Sequence, residues 1–572
     1  MTMKLRDCQT QSNVLAYACA GILCMVATVP FPAHAGAPPV PDPVLTDNTL
    51  LASAVPDECF NGVGVDYPPI NSDGTCSTGK PKINESRIWG LTEESGKLWF
   101  GTLANSQCVV TGQVKGGSPR PILNNILVCE FGESEIVREH PQVPALLGDW
   151  RPPSIYSYDL ATQTLSKKNI TDPRIKQTLG FRGAGSINNI AFLAGPSAFN
   201  QTPAINIFAF KADTGQYLGS CSRTDFTYIR GWARVGGVLY VGVASRTHGA
   251  VLRWNGDGTS FPGNFCSQFS EVATLPAAVA NLTLYTGGDG KDRLAATTVS
   301  LKSNSDGFAL AATRAASGAG TGVGTWISPP IPAGGFTTPL AWKQVWSPTQ
   351  YDPDTVTAHF GYSGGAVAQY GEWLYWGTIH LEGNAAMQFH QKCTASYCFG
   401  VPANNQEMNA LKAGVKRSTS VWRGRNLENP NTREIQLLYG ESELPACCSA
   451  PKTFATTPTG WTPLYGPSGF GNQNNQYTWR MAVYNGRLYI GTYDTSGTSG
   501  DPVNAGADLW RFDNSDSPAV NESYNGLGNS LNSGIRALQP LEDGSGLILG
   551  TSNGFNLSPL GGWELMLLKE GQ

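Results

Sequence analysis

A two-strand phrase that recurs along the chain constrains its fold more than any other feature. It reads as an apolar strand, a tight glycine-containing turn, and a second strand ending in Gly-Thr or a near variant. Copies run Arg87–Thr102 (RIWGLTEESGKLWFGT), Ile229–Ser245 (IRGWARVGGVLYVGVAS), Gly364–Thr378 (GGAVAQYGEWLYWGT), Trp479–Thr492 (WRMAVYNGRLYIGT) and Ile535–Thr551 (IRALQPLEDGSGLILGT). Weaker versions lie at Ser186–Gly195 and Leu282–Val299. Asn-Gly and Gly-Gly between alternating strands are strong hairpin signals. Each copy is followed by a third strand with an aromatic core, such as SIYSYDL, INIFAF, AVLRWN, SVWRG, DLWRF and WELMLL. A sheet this small buries both faces only against neighbours, and radial repetition supplies them while leaving short edges. The pattern predicts an all-β chain, a β-propeller of about seven blades. A sandwich or solenoid is the competing architecture. Uneven spacing of the copies implies loop insertions, the longest between His380 and Ser418.

Composition fits this reading. Glycine (67) and proline (38) are abundant, aromatics make up 10 % and charged residues only 14 %, against about 25 % charged in an average domain. The net charge of −4, with no Lys/Arg run, leaves no electrostatic footprint for nucleic acid or an anionic membrane surface.

The N-terminus reads as an export signal. Lys4 and Arg6 precede the apolar stretch Val14 to Val29, and Ala33-His34-Ala35 offers a small-x-small cleavage pattern before Gly36. The expected organisation is a signal peptide over 1–35, a Pro-rich linker and cysteine-bearing segment over 36–82, and the propeller over 83–572. Cleavage would leave no transmembrane anchor, and the protein would be periplasmic or extracellular in a bacterium. The ten cysteines beyond the signal are Cys59, Cys76, Cys108, Cys129, Cys221, Cys266, Cys393, Cys398, Cys447 and Cys448. An even number in an exported chain favours disulfides. Proximity suggests 59–76, 108–129 and 221–266, with the last four pairing among themselves. Adjacent Cys447 and Cys448 would then more often bond to separate partners, Cys393 and Cys398.

The stretch MAVYNGRLYIGTYD, ADLWRF, NGLGNSLNSGIRAL and LILGTSN, within Phe470 to Leu568, resembles a repeat of environmental bacterial secreted proteins. Those proteins carry FNGxLYVGTxN and GxEVWR phrases and are read as β-propellers. Here Tyr484 stands for their Phe and Asp494 for their Asn. The resemblance implies fold and export and brings no catalytic residues.

Among chemistry-bearing residues, Arg87, Arg230, Arg480 and Arg536 each precede a hairpin turn on what should be the innermost strand of a blade, and Arg182 looks similar. Inner strands line the central channel, so these guanidiniums can converge on an anion, which arginine grips bidentately. The bland reading has each arginine bonding groups between blades. Histidine is scarce, yet His359, His380 and His390 fall in or beside one blade, and His380-x-Glu382 would put two ligands on one strand face. His380, Glu382 and His390 are candidate ligands for a transition metal. The oxygen-rich runs Asp494–Asp501 and Asp513–Glu522 are candidate calcium loops.

The leading expectation is an exported ligand- or partner-binding propeller, its channel mouth engaging a small anion, a glycan or an envelope protein. The rival is an extracellular hydrolase or lyase on an anionic substrate, with His359, His380 and Arg480 as catalytic candidates. A third class is an architectural component of a cell-surface assembly.

Overall fold

In the computed structural model the described residues are 42–571, apart from 116–119, 140, 142, 148, 198–202, 259–260, 262, 302–321, 392–398, 449, 451 and 500–504. The expected signal peptide and the pair Cys393 and Cys398 lie outside them.

Strand pairing sorts these residues into seven four-stranded antiparallel meanders. Blade 1 comprises Glu85–Glu94, Lys97–Ala104, Ile155–Asp159 and Thr164–Lys167. Blade 2 comprises Gly183–Ile187, Ile190–Pro196, Ile205–Lys211 and Tyr217–Arg223. Blade 3 follows with Tyr228–Val235, Val238–Ala244, Gly249–Trp254 and Phe269–Leu275, and blade 4 with Ala278–Thr286, Asp292–Val299, Gly324–Ile327 and Lys343–Trp346. Blade 5 holds Tyr362–Tyr370, Trp373–His380, Val421–Arg425 and Glu434–Tyr439. Blade 6 holds Asn475–Tyr484, Arg487–Asp494, Leu509–Phe512 and Val520–Ser523.

Blade 7 joins the two ends of the chain. Its strands Gly534–Pro540, Leu547–Ser552 and Glu564–Lys569 are completed by Asp47–Ser53 from the N-terminal side. The propeller therefore begins earlier than residue 83, and the segment 36–82 is not simply a linker. The sequence hides this strand because it is the outermost of its blade and mostly exposed, so DNTLLAS needs no continuous apolar run. The Glu522 carboxylate fastens the same end by accepting the backbone N–H groups of Val44 and Leu45.

The repeated Gly-Thr follows from the packing between blades. A Cβ at Gly377 would lie 1.7 Å from Thr478 Oγ1, one at Gly491 2.5 Å from Ile535, and one at Gly550 2.9 Å from Ile88. In each case the neighbour belongs to the inner strand of the following blade, with blade 7 meeting blade 1. The threonine that follows serves its own blade: Thr378, Thr492 and Thr551 hydroxyls each accept, at 2.8 Å, a backbone N–H leading into the third strand. Apolar side chains fill every gap between adjacent blades. Phe192, Val241 and Trp254 do so between blades 2 and 3, and Ile88, Phe100 and Ile548 between blades 7 and 1.

Helices Ser106–Lys115, Glu382–Gln391 and Asn405–Val415 all enter after the second strand of a blade. They cover the end opposite the turn between the first two strands. Disulfides join Cys59 to Cys76, Cys108 to Cys129 and Cys221 to Cys266, the pairs that proximity suggests. Cys447 and Cys448 are bonded to each other, not to separate partners. Cys447 ends the short hairpin strand Glu443–Cys447, and its N–H is anchored on the Asp354 carboxylate at 2.8 Å.

Candidate functional site

The channel is lined by the first strand of each blade. Six of these seven strands carry a register shift near mid-strand: Ile88/Gly90, Ile229/Trp232, Val279/Asn281, Gly364/Val367, Thr478/Arg480 and Ile535/Ala537. An extra residue bends the strand and re-aims its side chains. Arg230 and Arg536 lie inside such a shift and Arg480 directly ends one.

An open cavity of about 590 Å³ fills one end of the channel. Every blade contributes to its wall, through Leu91, Ala184, Trp232, Leu282, Val367, Met481 and Leu538 in turn. Arg230, Arg480 and Asn281 border its deeper part, whereas Glu93, Arg234, Gly371 and Glu542 mark the side of the strand turns. At this rim Arg234 pairs with Glu542 at 2.5 Å and with Glu94 at 3.3 Å. Burial pushes the Glu93 carboxyl above its ordinary value.

Of the five arginines expected at the channel, Arg230 and Arg480 line the cavity, and Arg87, Arg182 and Arg536 lie near enough for their charges to be felt. Arg87, Arg182, Arg230 and Arg536 are buried, with Arg536 only 1 % exposed. Burial pulls Arg87, Arg182 and Arg480 down to about 10, and Arg230 lowers each of them further. Arg536 is held well below its ordinary value, first by burial and then by Arg480, Arg230, Arg87 and Arg182. Arg230 and Arg536 are thus the charges through which the cluster's repulsion runs. Among the described residues, Arg87, Arg230, Arg480 and Arg536 form no ion pair with a carboxylate.

Neutral groups hold them instead. Arg87 Nε donates to Ser552 Oγ at 2.9 Å, while Arg480 Nε donates to the Arg536 carbonyl at 3.1 Å and its Nη1 to Asn281 Oδ1 at 3.4 Å. The Trp479 ring receives both Arg87 and Arg536, at 4.9 and 5.4 Å, and Tyr228 receives Arg182 at 4.4 Å. The negative face of an aromatic ring stabilises a desolvated cation. Arg230 Nε and Nη2, and Arg536 Nε and Nη1, are buried without a hydrogen-bond partner. Unmet donors in a cation cluster are groups that an anion would satisfy chemically. Sequence reasoning missed Trp479 and Asn281 as parts of it. Asn281 stands just before the weaker copy Leu282–Val299, at the mid-strand shift where other blades carry arginine.

The histidines do not join this site. His380 is 2 % exposed, with Nε2 3.1 Å from Thr378 Oγ1 and its ring edge-on to Tyr362 at 4.3 Å. Burial, then Arg417, push its pKa well below the ordinary value. Arg417 is itself clamped by Asp352 at 2.7 and 3.2 Å. His359 sits on the short helix Thr355–Phe360 with Nδ1 2.6 Å from the Thr355 carbonyl. Neither histidine lines the cavity that holds Arg480, so the three catalytic candidates do not converge. The strand ends at His380 and Glu382 opens a helix, so the two do not share a strand face as expected. The His390 side chain lies outside the described residues. Among the described residues no group of three or more His, Cys, Asp or Glu is placed to hold a metal ion. The loop His380–Ser418 leaves blade 5 at the end away from the cavity, and so does not rim the same mouth.

Of the calcium candidates, Asp513 is taken by Arg487 at 2.9 Å and Arg511 at 2.6 Å, and Glu522 pairs with Arg511. Asp494 accepts Asn472 Nδ2 at 2.8 Å and the Ser496 N–H at 2.7 Å, and Asp501 lies outside the described residues.

Neither a protein-family model nor a curated protein matches the chain. Solved structures of similar fold include a prolyl endopeptidase, at TM-score 0.35 and 10 % identity over 82 % of this chain and 45 % of that one. The propeller domain of the trilobed protease from Pyrococcus furiosus matches at 0.28 and 7 %, over 68 % and 93 %. A GH43_1 enzyme from Xanthomonas citri matches at 0.27 and 8 %, over 83 % and 92 %. The chain thus spans less than half the length of the prolyl endopeptidase. The fold assignment does not rest on these likenesses but on the seven four-stranded meanders and their closure by Asp47–Ser53: the chain is a β-propeller.

Proposed function

We propose that this protein is an exported β-propeller that binds a small anion at the arginine-lined depth of its central channel. The observation that carries the reading is the convergence of Arg87, Arg230, Arg480 and Arg536 without a carboxylate partner, two of them with buried donors unmet. The cavity above them is walled by Leu282, Val367, Met481 and Leu538. This suits an anionic head on a short apolar body better than a fully hydrated ion. Export is supported by the disulfides, which persist in oxidising compartments, and by the N-terminal export pattern. Among the described residues no helix is long and apolar enough to cross a membrane. The resemblance to bacterial secreted repeat proteins points the same way.

Calorimetric titration with phosphate, citrate and a short alkyl carboxylate tests the reading. Saturable binding that the double change Arg230→Met and Arg480→Met abolishes is the expected result. Failure of all three probes to bind the unaltered protein overturns it.

A further inference from the structure

A second concave site, also of about 590 Å³, lies on blade 6. It sits at the end of the blade where Asn475 pairs with Asp494, away from the Asn485-Gly486 turn and hence away from the channel cavity. Its wall has three chemical parts: the aromatic rings of Phe470, Trp510 and Tyr524, the amides of Asn472, Gln473, Asn474 and Asn525, and the carboxylate of Asp508.

The rings are held in a fixed arrangement. Phe470 and Trp510 stack at 4.6 Å with planes 10° apart, and Tyr524 meets Trp510 edge-on at 5.8 Å. Tyr524 is 56 % exposed, a large ring left at the lip of a pocket. Trp510 is only 8 % exposed, and its Nε1–H is buried without a well-formed hydrogen bond. The polar side is equally built. Asp508 accepts Asn475 Nδ2 at 2.7 Å. Asn472 donates to Asp494 at 2.8 Å and accepts the Asn474 N–H at 2.9 Å, which fixes its orientation.

The occupant follows from this mixture. An anion would face Asp508 and Asp494. An apolar ligand would strand the amides of Gln473, Asn474 and Asn525, each with donors and an acceptor to satisfy. A quaternary ammonium would use the rings and the carboxylate but none of the amides. A pyranose uses all three, since its C–H face stacks on aromatic rings and its hydroxyls both donate and accept. We propose that the blade 6 pocket binds a neutral saccharide unit of a glycan, stacked on Tyr524 and hydrogen-bonded by the amides and Asp508.

The test titrates maltotriose, cellotriose and N-acetylchitotriose into the full disulfide-bonded chain, read by tryptophan fluorescence and saturation-transfer NMR. At least one should bind saturably. Tyr524→Ala should weaken that binding about tenfold, the loss of one stacking contact, and Tyr524→Trp should restore it. Gln473→Ala, at an exposed position, should weaken it several-fold, and Arg480→Met should leave it unchanged. The melting temperature of Tyr524→Ala should match the parent, which separates binding from folding. The proposal is overturned if no saccharide binds at millimolar concentration, if Tyr524→Ala changes nothing, or if choline occupies the pocket in place of the sugars.

Discussion

Replacing Arg480 with methionine separates a repelling cation cluster from a set of paired structural arginines. The Arg480 guanidinium is depressed from 12.5 to about 10. At about 1.4 kcal/mol per pKa unit, keeping it charged costs roughly 3 kcal/mol relative to water. The sign is that of a base whose folded pKa lies below its unfolded one, so the cost is fully present at every pH below about 10, neutral pH included. Arg480→Met removes that cost and forfeits two hydrogen bonds, to the Arg536 carbonyl and Asn281, worth about 1.5 kcal/mol each. The two nearly cancel, and the melting temperature should move by no more than about 1 °C for a chain of this size. Removing one partner of a buried ion pair would instead cost about 3–5 kcal/mol and a comparable number of degrees. Citrate at about a hundred times its dissociation constant should raise the parent's melting point by about 2–3 °C, from some 2.7 kcal/mol of linkage, and should not move the variant. Scanning calorimetry at matched ionic strength reads both effects. A large fall for Arg480→Met together with equal citrate shifts in both proteins would refute the reasoning.

Three further outcomes follow from the packing and the buried acids. Burial raises Asp57 to about 7 and Asp508 to about 6. Each destabilises the fold in full above its folded value, and the cost disappears as pH falls through it toward the unfolded value. Buried neutral His380 acts oppositely below its ordinary 6.5. Two protons gained against one withheld make thermal stability rise from pH 8 to about pH 5, and a monotonic fall over that range would contradict these assignments. Gly491→Ala places a methyl 2.5 Å from Ile535 and should cost about 1–3 kcal/mol by overpacking. Gly383→Ala, on a helix with nothing within 4 Å, should be neutral or slightly stabilising, both variants being read by urea titration. Removing residues 42–53 unpairs Glu564–Lys569 and should yield a protease-sensitive, self-associating chain on size exclusion, whereas an unchanged cooperative melt would argue against closure by this strand.

Much of the fold was legible because its constraint is local and repeated. The Gly-Thr phrase marks where one blade presses on the next, and the hairpin turns mark the register, so blades with both were visible. Blades 2 and 4 were fainter. Their second strands end AGP and TTV instead of in Gly-Thr, so only the alternating strands spoke. Asp47–Ser53 was invisible, since an outer strand with one exposed face carries no apolar run. The arginines were legible for a geometric reason: the inner strand is the strand of each blade that borders the channel, and a cation is a poor filler for the apolar gap between blades. The histidines misled because nearness in sequence was read as nearness of side chains, while Glu382 begins a helix where His380 ends a strand. The blade 6 pocket draws on three separated stretches, around Phe470, Asp508 and Tyr524, and no single stretch has the spacing of a motif.

The Gly-Thr positions and the arginines answer to different demands, which bears on why the cluster exists. At Gly377 or Gly491 a larger side chain collides with the next blade, so the residue there is dictated by the fold. At the mid-strand shift facing the channel the fold dictates little. Blade 4 closes the ring with Ala280-Asn281 and blade 5 with Gly365-Ala366, neutral residues in the same inner-strand setting where blades 3, 6 and 7 carry Arg230, Arg480 and Arg536. Neutral residues therefore suffice to build the channel, and each of the arginines depressed to about 10 opposes folding. A rigid closed ring tolerates such a cluster because its seven inter-blade cores supply stability independently of what lines the axis. Side chains that cost stability and serve no packing need are what the proposed anion site would require, since strained and repelling groups gather at functional sites.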